Sequence, residues 1–526
     1  MIAPALLLAA ALLLCAGCSR RTAAEEPAVT GAPPAFEQEV SASAVPVAAA
    51  SRNDDRFTMR YSAANSFNPF TGTNPDNMAA CRLMYESLFE LGPGFEPEKL
   101  LCESWKTADG ITFDFTIRDG VKFSSGTSLT AADVAYSINF AAASDRYAGR
   151  FRNLSEALVV DGRTVEVVLL TVDYGLPALL DIPIIEGGSV DTDVPPGTGP
   201  YMLDRSGPKF VKNPYYRDGD KLPLEEILLK EYSSAQVTDA FASGDLDLVW
   251  DDPFDDSFVS LRENHDLHLY NTTCFQYIGL NFMTPCLERG EVRQAIANAV
   301  DRSRIAASMD GCAVPSPLLF SPGWYLYDSA AEPPVPNDRA GSVLRLLKEA
   351  GLKDVDGDGF LDYEDGYPIN LRFVVYEGSS SKLAAAKMVT RVLEEAGLRA
   401  TIMPLGWDEY VSALESGEFD LYYAEVMLPA DFDFSGILVP GGQLNYGSIT
   451  SERYFDMIGE VASAATDTAR ASAASALCRY AAEENPIIPV VYRLYCVHTL
   501  RGVVTGLAPT QSSVFHNITA LEIDLG

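Results

Sequence analysis

Residues 354–365 read DVDGDGFLDYED, which sets Asp354, Asp356, Asp358, Gly359, Asp362 and Asp365 at positions 1, 3, 5, 6, 9 and 12 of an EF-hand-type loop. Hard oxygen ligands at that spacing, around a glycine that permits a sharp turn, are how such a loop wraps calcium. Two readings stand. In one, the loop holds a structural calcium ion with the weak affinity of extracellular sites, about 0.1–1 mM. In the other it is a solvated turn, because position 12 is aspartate where a bidentate glutamate is normal, and the flanks read as a helix and a strand. The other chemistry-bearing spacings lead to exclusions. Ser379 to Lys382 spell S-x-x-K, but no S-D-N or K-T-G accompanies them, so a penicillin-recognising site is not expected. There is no G-x-S-x-G, no H-E-x-x-H and no phosphate-binding loop, and the chain is not expected to be an enzyme. Four histidines, His265, His268, His498 and His516, are too few for a histidine-rich metal site. Beyond calcium, no cofactor is expected.

Cys15 and Cys18 form a C-x-x-C pair at the end of MIAPALLLAAALLLCAG. A redox pair of this kind opens a helix inside a folded unit, where the helix terminus lowers a thiol pKa. Here nothing folded precedes it. The apolar run is too short for a bilayer span, which takes about 20 residues, and it suits the apolar region of a secretory signal. Leu14-Cys15-Ala16-Gly17-Cys18 resembles a bacterial lipobox, which implies that residues 1–17 are removed and that Cys18 is lipidated. Cys15 stands where leucine is usual, and no lysine or arginine opens the segment; an ordinary secretory signal or a membrane anchor is the alternative. Residues 18–55, rich in Ala, Pro, Ser and Glu without helical or strand period, read as a disordered tether.

Residues 56–526 must supply the elements that position any site. Apolar residues make up 47% of the chain and charged residues 21%, a globular composition with material for two or three cores. The net charge of −34 argues against nucleic acid as a partner, since phosphates demand clustered Lys and Arg. Seven cysteines at 81, 102, 274, 286, 312, 478 and 496 are scattered and odd in number, so no disulfide framework can be read. ITFDFTIRDGVKF alternates with period two and predicts a hairpin turning at Asp119-Gly120. TAADVAYSINFAAA predicts a helix capped by Thr130, with an acidic residue three positions on. SVLRLLKEAGL and AAAKMVTRVLEEAGL predict helices stopped at Gly351 and Gly397. RATIMPL then predicts a strand, and WDEYVSALESGEFDLYYAEVM a helix, a turn and a buried strand. The fold class is a large mixed α/β protein.

EPEKLLCESWKTADGITFDFTIRDGVKFSSGTSLTAADVAYSI, GTGPYML, NPYYRDG, FASGDLDLVW and YIGLNFMTPCLERGEVRQAIANAVDRSRI occur in that order. Together they resemble the extracellular solute-binding proteins of ABC importers, the class that takes dipeptides, oligopeptides and nickel, over roughly residues 56–526. The resemblance implies a two-lobed, periplasmic-binding-protein-like α/β fold with mixed sheets and a hinge. It places a lobe I core at 56–75, 195–272 and 497–526, an extra lobe I domain at 76–194, and lobe II at 273–496. Trp105, Phe113, Phe115, Val121 and Phe123 are then expected in the core, and Arg118, Asp119 and Arg293 as structural polar groups.

In this family an extended peptide is held between the lobes by its backbone, and a carboxylate neutralises its ammonium. By resemblance that carboxylate is Asp431, in LPADFDFSGIL after the strand DLYYAEVM, with Asp433 close by; the alternative is a turn cap. Peptide binders usually carry a tryptophan three residues earlier, where this chain has Leu428, and the usual Y-P-D-P continuation is replaced by Phe432-Asp433-Phe434. The resemblance therefore implies an altered pocket. Trp324, Tyr325 and Trp407 are candidates for stacking walls, Trp407 equally for core. The expectation is a monomeric, lipid-anchored protein on the extracytoplasmic face, periplasmic or extracellular, that captures a peptide and delivers it to permease subunits. Alternatives are a ligand-sensing lipoprotein that signals to a receptor, or a binder of a sugar or metal chelate.

Overall fold

A computed structural model describes residues 56–253 and 265–525. The signal segment, the tether and Cys18 lie outside the described residues. Two lobes share one mixed sheet of eleven strands. In the first lobe its path runs Tyr201–Leu203, Lys209–Lys212, Glu226–Lys230, Phe57–Arg60 and Leu248–Asp251. It crosses into the second lobe through two long strands, Ile487–Leu500 and His265–Leu280, and ends on Leu421–Met427, Asn370–Tyr376 and Arg399–Leu405. Ala313–Pro315 pairs on the side of Ile487–Leu500.

The two long strands are the physical link between the lobes. His265–Asn271 pairs with Leu494–Leu500 beside Leu248–Asp251, and Phe275–Gly279 pairs with Ile487–Tyr492 beside Leu421–Met427. Between these stretches the register slips: Thr272, Thr273 and Cys274 face only Arg493. Such a bulge leaves backbone groups without ladder partners, and here hydroxyls take their place. Thr272 Oγ1 donates to Arg493 O (2.7 Å) and accepts from Cys274 N (3.1 Å), while Thr273 Oγ1 donates to Leu428 O (2.6 Å).

The remaining elements obey their local signals. The helix Ala131–Ala143 opens on the Thr130–Asp133 capping box. Helices Arg339–Glu349, Ser380–Glu395 and Trp407–Ser416 are followed by Gly351, Gly397 and Gly417 at positive φ, the left-handed stop a glycine adopts without Cβ strain. Ser379, the first residue of the S-x-x-K match, caps the helix at Lys382 N, and Lys382 Nζ pairs with the buried Glu425 (3.6 Å). The hairpin predicted at Asp119-Gly120 is not formed. Thr112–Ile117 turns back at Gly110 to pair with Cys102–Thr107, and on its other edge pairs with Thr164–Leu169, in an antiparallel sheet completed by Leu154–Val159. Asp119-Gly120 instead sends the chain away from the sheet, because burying Phe113, Phe115 and Ile117 requires the two flanking strands. All seven cysteines of the described residues are buried, and none is in a disulfide with another of them.

Candidate functional site

Where the strand Leu421–Met427 ends, the bulge holds the departing chain: Leu428 N donates to Thr273 O (3.1 Å), opposite the Thr273 hydroxyl bond. The segment then turns sharply at Phe432, whose φ of 59° is one few non-glycine residues adopt. Packing holds it there. The Phe432 ring lies edge-on to Phe95 (5.2 Å) and against Trp324 (5.5 Å) and Tyr492 (6.0 Å). Phe95 belongs to the first lobe, in the loop between the paired strands Phe89–Leu91 and Pro97–Lys99, and it too has a positive φ, 66°. Two strained phenylalanines thus meet at the lobe boundary, buried in the second lobe's aromatic core.

Beside this contact lies a cavity of about 290 Å³ with walls from both lobes. The first lobe contributes Phe95, Trp105 and Tyr174; the second contributes Trp324, Tyr325, Asp431 and Arg470. Arg470 sits in the first turn of the helix Asp467–Glu484. An open recess of about 430 Å³ continues from it, sharing Pro97, Trp105, Pro177, Tyr325 and Asp467. Main-chain bonds cross the boundary on either side: Tyr325 N donates to Gly94 O (3.0 Å) and Tyr174 N to Ala462 O (2.8 Å). Tyr325 Oη donates to Asp467 Oδ1 (3.2 Å), which fixes one aromatic wall.

The electrostatics are lopsided. Burial, then the charges of Asp173 and Asp433, push the Asp431 carboxyl up to about 8, against a smaller opposing pull from Arg470. Burial also raises Asp173, again opposed by Arg470. A carboxylate in this position is stabilised by a cation placed against it.

Asp431, Trp324 and Tyr325 therefore come together. Asp433 does not line the cavity: its carboxylate accepts from Ser435 N (2.8 Å) and Ser435 Oγ (2.6 Å), in the turn that leads into the short helix Ser435–Leu438. Trp407 packs against Tyr376 (5.3 Å) and Tyr410 (5.9 Å), outside the cavity lining. Trp105, expected in the core, is 38% exposed; one face covers Phe113 and Phe115 and the other fronts the cavity. Its strand lies at the edge of the four-stranded sheet. Arg293 is structural, donating to Leu287 O, Glu288 O and Glu484 O. Asp173, Tyr174 and Arg470 were not foreseen; they lie far from Asp431 in sequence and carry no local motif.

The acidic loop brings carboxylate oxygens of Asp354, Asp356 and Asp362 within 4.8 Å of one another. Its other two candidate ligands are directed elsewhere. Asp358 pairs with Arg399 (3.3 Å), and Asp365 accepts from Tyr367 N (3.3 Å). Asp354 and Asp362 accept from loop amides, Gly357 N (2.7 Å) and Val355 N (2.7 Å) among them, as in a self-supporting turn. Three oxygens from one side fit a cation only with further ligands from water.

The family model for bacterial extracellular solute-binding proteins, family 5 middle, matches residues 96–437. A glutathione-binding protein, GsiB, of Salmonella typhimurium is 26% identical over 312 residues, covering 55% of this chain and 60% of that protein's length. An oligopeptide-binding protein, AppA, of Bacillus subtilis is 26% identical over 384 residues, covering 67% of this chain and 69% of the relative. Among solved structures, the periplasmic murein tripeptide binding protein MppA, in an unliganded open form, superposes with a TM-score of 0.73 at 16% identity, covering 91% of this chain and 99% of that one. That superposition carries the two-lobed fold.

Proposed function

Because the chain belongs to the bacterial extracellular solute-binding proteins of family 5, we propose that it captures peptides between its lobes, held to a membrane by a lipid on Cys18, and delivers them to an ABC permease. The observation that carries the peptide reading is Asp431: a carboxylate, poorly ionised until a cation reaches it, faces an aromatic cavity whose walls come from both lobes. The names of two relatives, one for glutathione and one for oligopeptides, support the same class of cargo. Closure is the mechanism. A ligand favours the closed arrangement only through contacts it makes with both lobes at once, and motion about the paired strands His265–Leu280 and Ile487–Leu500 brings those contacts together.

Native mass spectrometry of the full-length protein, purified without refolding, tests this reading. The expected result is a ladder of adducts separated by amino-acid residue masses. A single non-peptide adduct overturns it and moves the cargo to another solute class.

A further inference from the structure

We propose that the second lobe carries a second ligand site, a proline-walled cavity separate from the cleft, in which Arg302 holds the carboxylate of a small apolar acid.

The cavity measures about 220 Å³, and every residue that lines it falls between 294 and 489, within the second lobe. None of them also lines the cleft cavity. The helix Asp467–Glu484 borders both, lining this cavity with Ala481 and Ala482 and the cleft with Arg470, about 16 Å away along its axis. Seven prolines stand in the wall, three of them within Pro333–Pro336. A proline has no backbone N–H, so this wall presents flat apolar rings and few amide donors.

The polar side chains of the lining are committed to one another, with one exception. Asn485 Nδ2 donates to Gln294 Oε1 (2.9 Å), Gln294 Nε2 to Asn298 Oδ1 (3.2 Å), and Asn298 Nδ2 to Ser342 Oγ (3.0 Å). Glu332 accepts from Tyr327 Oη (2.8 Å). Arg339 donates to Asn298 O and Val300 O and pairs with Asp301 (3.3 Å), which occupies the carboxylate nearest in sequence to Arg302. Arg302 is the exception. Its Nε donates to Pro489 O (2.8 Å), and among the described residues the other N–H groups of its guanidinium meet no acceptor. Burial, then the charge of Arg339, pulls this half-buried group down to about 10. An anion set against the guanidinium opposes both effects.

The surroundings select the ligand. A guanidinium fork matches a carboxylate through two parallel bonds, and the proline wall suits a hydrocarbon body. An apolar cavity of about 150 Å³ holds benzene, so about 220 Å³ has room for a ring and its carboxylate together.

Ligand-observed NMR titrations of the full-length protein with benzoate, and with benzamide as its neutral counterpart, test the site on the wild type, Arg302→Gln and Ala482→Phe. The wild type should bind benzoate roughly 10- to 100-fold more tightly than benzamide, the range of a hydrogen bond to a charged group. Arg302→Gln should bring the two to equal affinity, and Ala482→Phe, which fills the cavity with a ring, should abolish binding of both. Benzoate that binds all three proteins alike sits elsewhere, and that result overturns the proposal. So does a wild type that binds benzoate no more tightly than benzamide, that shows saturable binding of neither, or that takes inorganic phosphate in preference to benzoate. Thermal melts followed by circular dichroism establish that each variant is folded, and the comparison of benzoate with benzamide on the wild type stands whichever variant fails. Neither probe carries an ammonium for Asp431, so the outcome is independent of the peptide reading.

Discussion

Varying pH alone interrogates the assignment of Asp431. In the ligand-free cleft its carboxyl stays protonated up to about pH 8, because burial and the neighbouring Asp173 and Asp433 disfavour the anion. An arriving ammonium must therefore expel a proton. The association constant of a free-amine peptide should rise about tenfold per pH unit between pH 5 and 7. At pH 7, one unit below that pKa, about 0.9 of a proton leaves per peptide bound. The rise stops near pH 8, where the peptide's α-amino group, with a pKa of about 7.7–8.0, loses its own charge. Calorimetry of alanyl-phenylalanine in phosphate and in Tris, whose ionisation enthalpies differ, counts the proton from the difference in heat. Asp431→Asn should remove the buffer dependence. The stability sign agrees: a carboxyl whose folded pKa exceeds its unfolded 3.8 contributes stability that is complete below pH 3.8 and lost as pH rises through about 8. Peptide should thus raise the melting temperature more at pH 7.5 than at pH 5. An affinity flat between pH 5 and 7, with heats identical in the two buffers, refutes the reasoning.

The packing sets three further outcomes. Phe95→Ala removes the ring that the first lobe buries against Phe432, and urea unfolding should show a loss of about 3 kcal/mol. Glu425 is buried, but Arg493 and Lys382 hold its carboxyl down to about 2, so its contribution is present above about pH 4.5 and lost as pH falls toward 2. Glu425→Gln should therefore destabilise the protein by about 3 kcal/mol at pH 7 in denaturant titrations, with a smaller deficit at pH 3. The seven thiols of Cys81, Cys102, Cys274, Cys286, Cys312, Cys478 and Cys496 are buried. A thiol reagent such as DTNB should leave all of them unmodified in the native protein and react with all of them in guanidinium.

Elements whose signals are local were legible. Thr130 and Asp133 bond each other's backbone within four residues, and Gly351, Gly397 and Gly417 end helices through their own φ. RATIMPL forms the strand Arg399–Leu405 across its whole length. Pairing was less legible. The Asp119-Gly120 turn has the right residues for a hairpin, but the partners of Thr112–Ile117 are chosen by which rings it can bury, and those strands begin at residues 102 and 164. The site divides in the same way. Asp431 and Trp324 stand in recognisable segments, whereas Asp173 and Arg470 are 297 residues apart and meet only because the lobes do. Trp105 alternates like a core residue and does pack on Phe113 and Phe115, but it stays 38% exposed on an edge strand of the assembled sheet, beside the cavity.

The shared strands have a consequence for how the chain can be made. His265–Leu280 and Ile487–Leu500 pair across more than two hundred residues of intervening sequence; the first also pairs with Leu421–Met427 of the second lobe, and the second with Leu248–Asp251 of the first. Neither lobe can be cut out as an independent unit without exposing a long, largely apolar strand edge, the kind that recruits other chains. Until residues near 500 have emerged, His265–Leu280 has no Ile487–Leu500 to pair with, so contacts of such high order place folding of the sheet at the end of synthesis and make it slow. The interval during which that edge stands open is when aggregation competes.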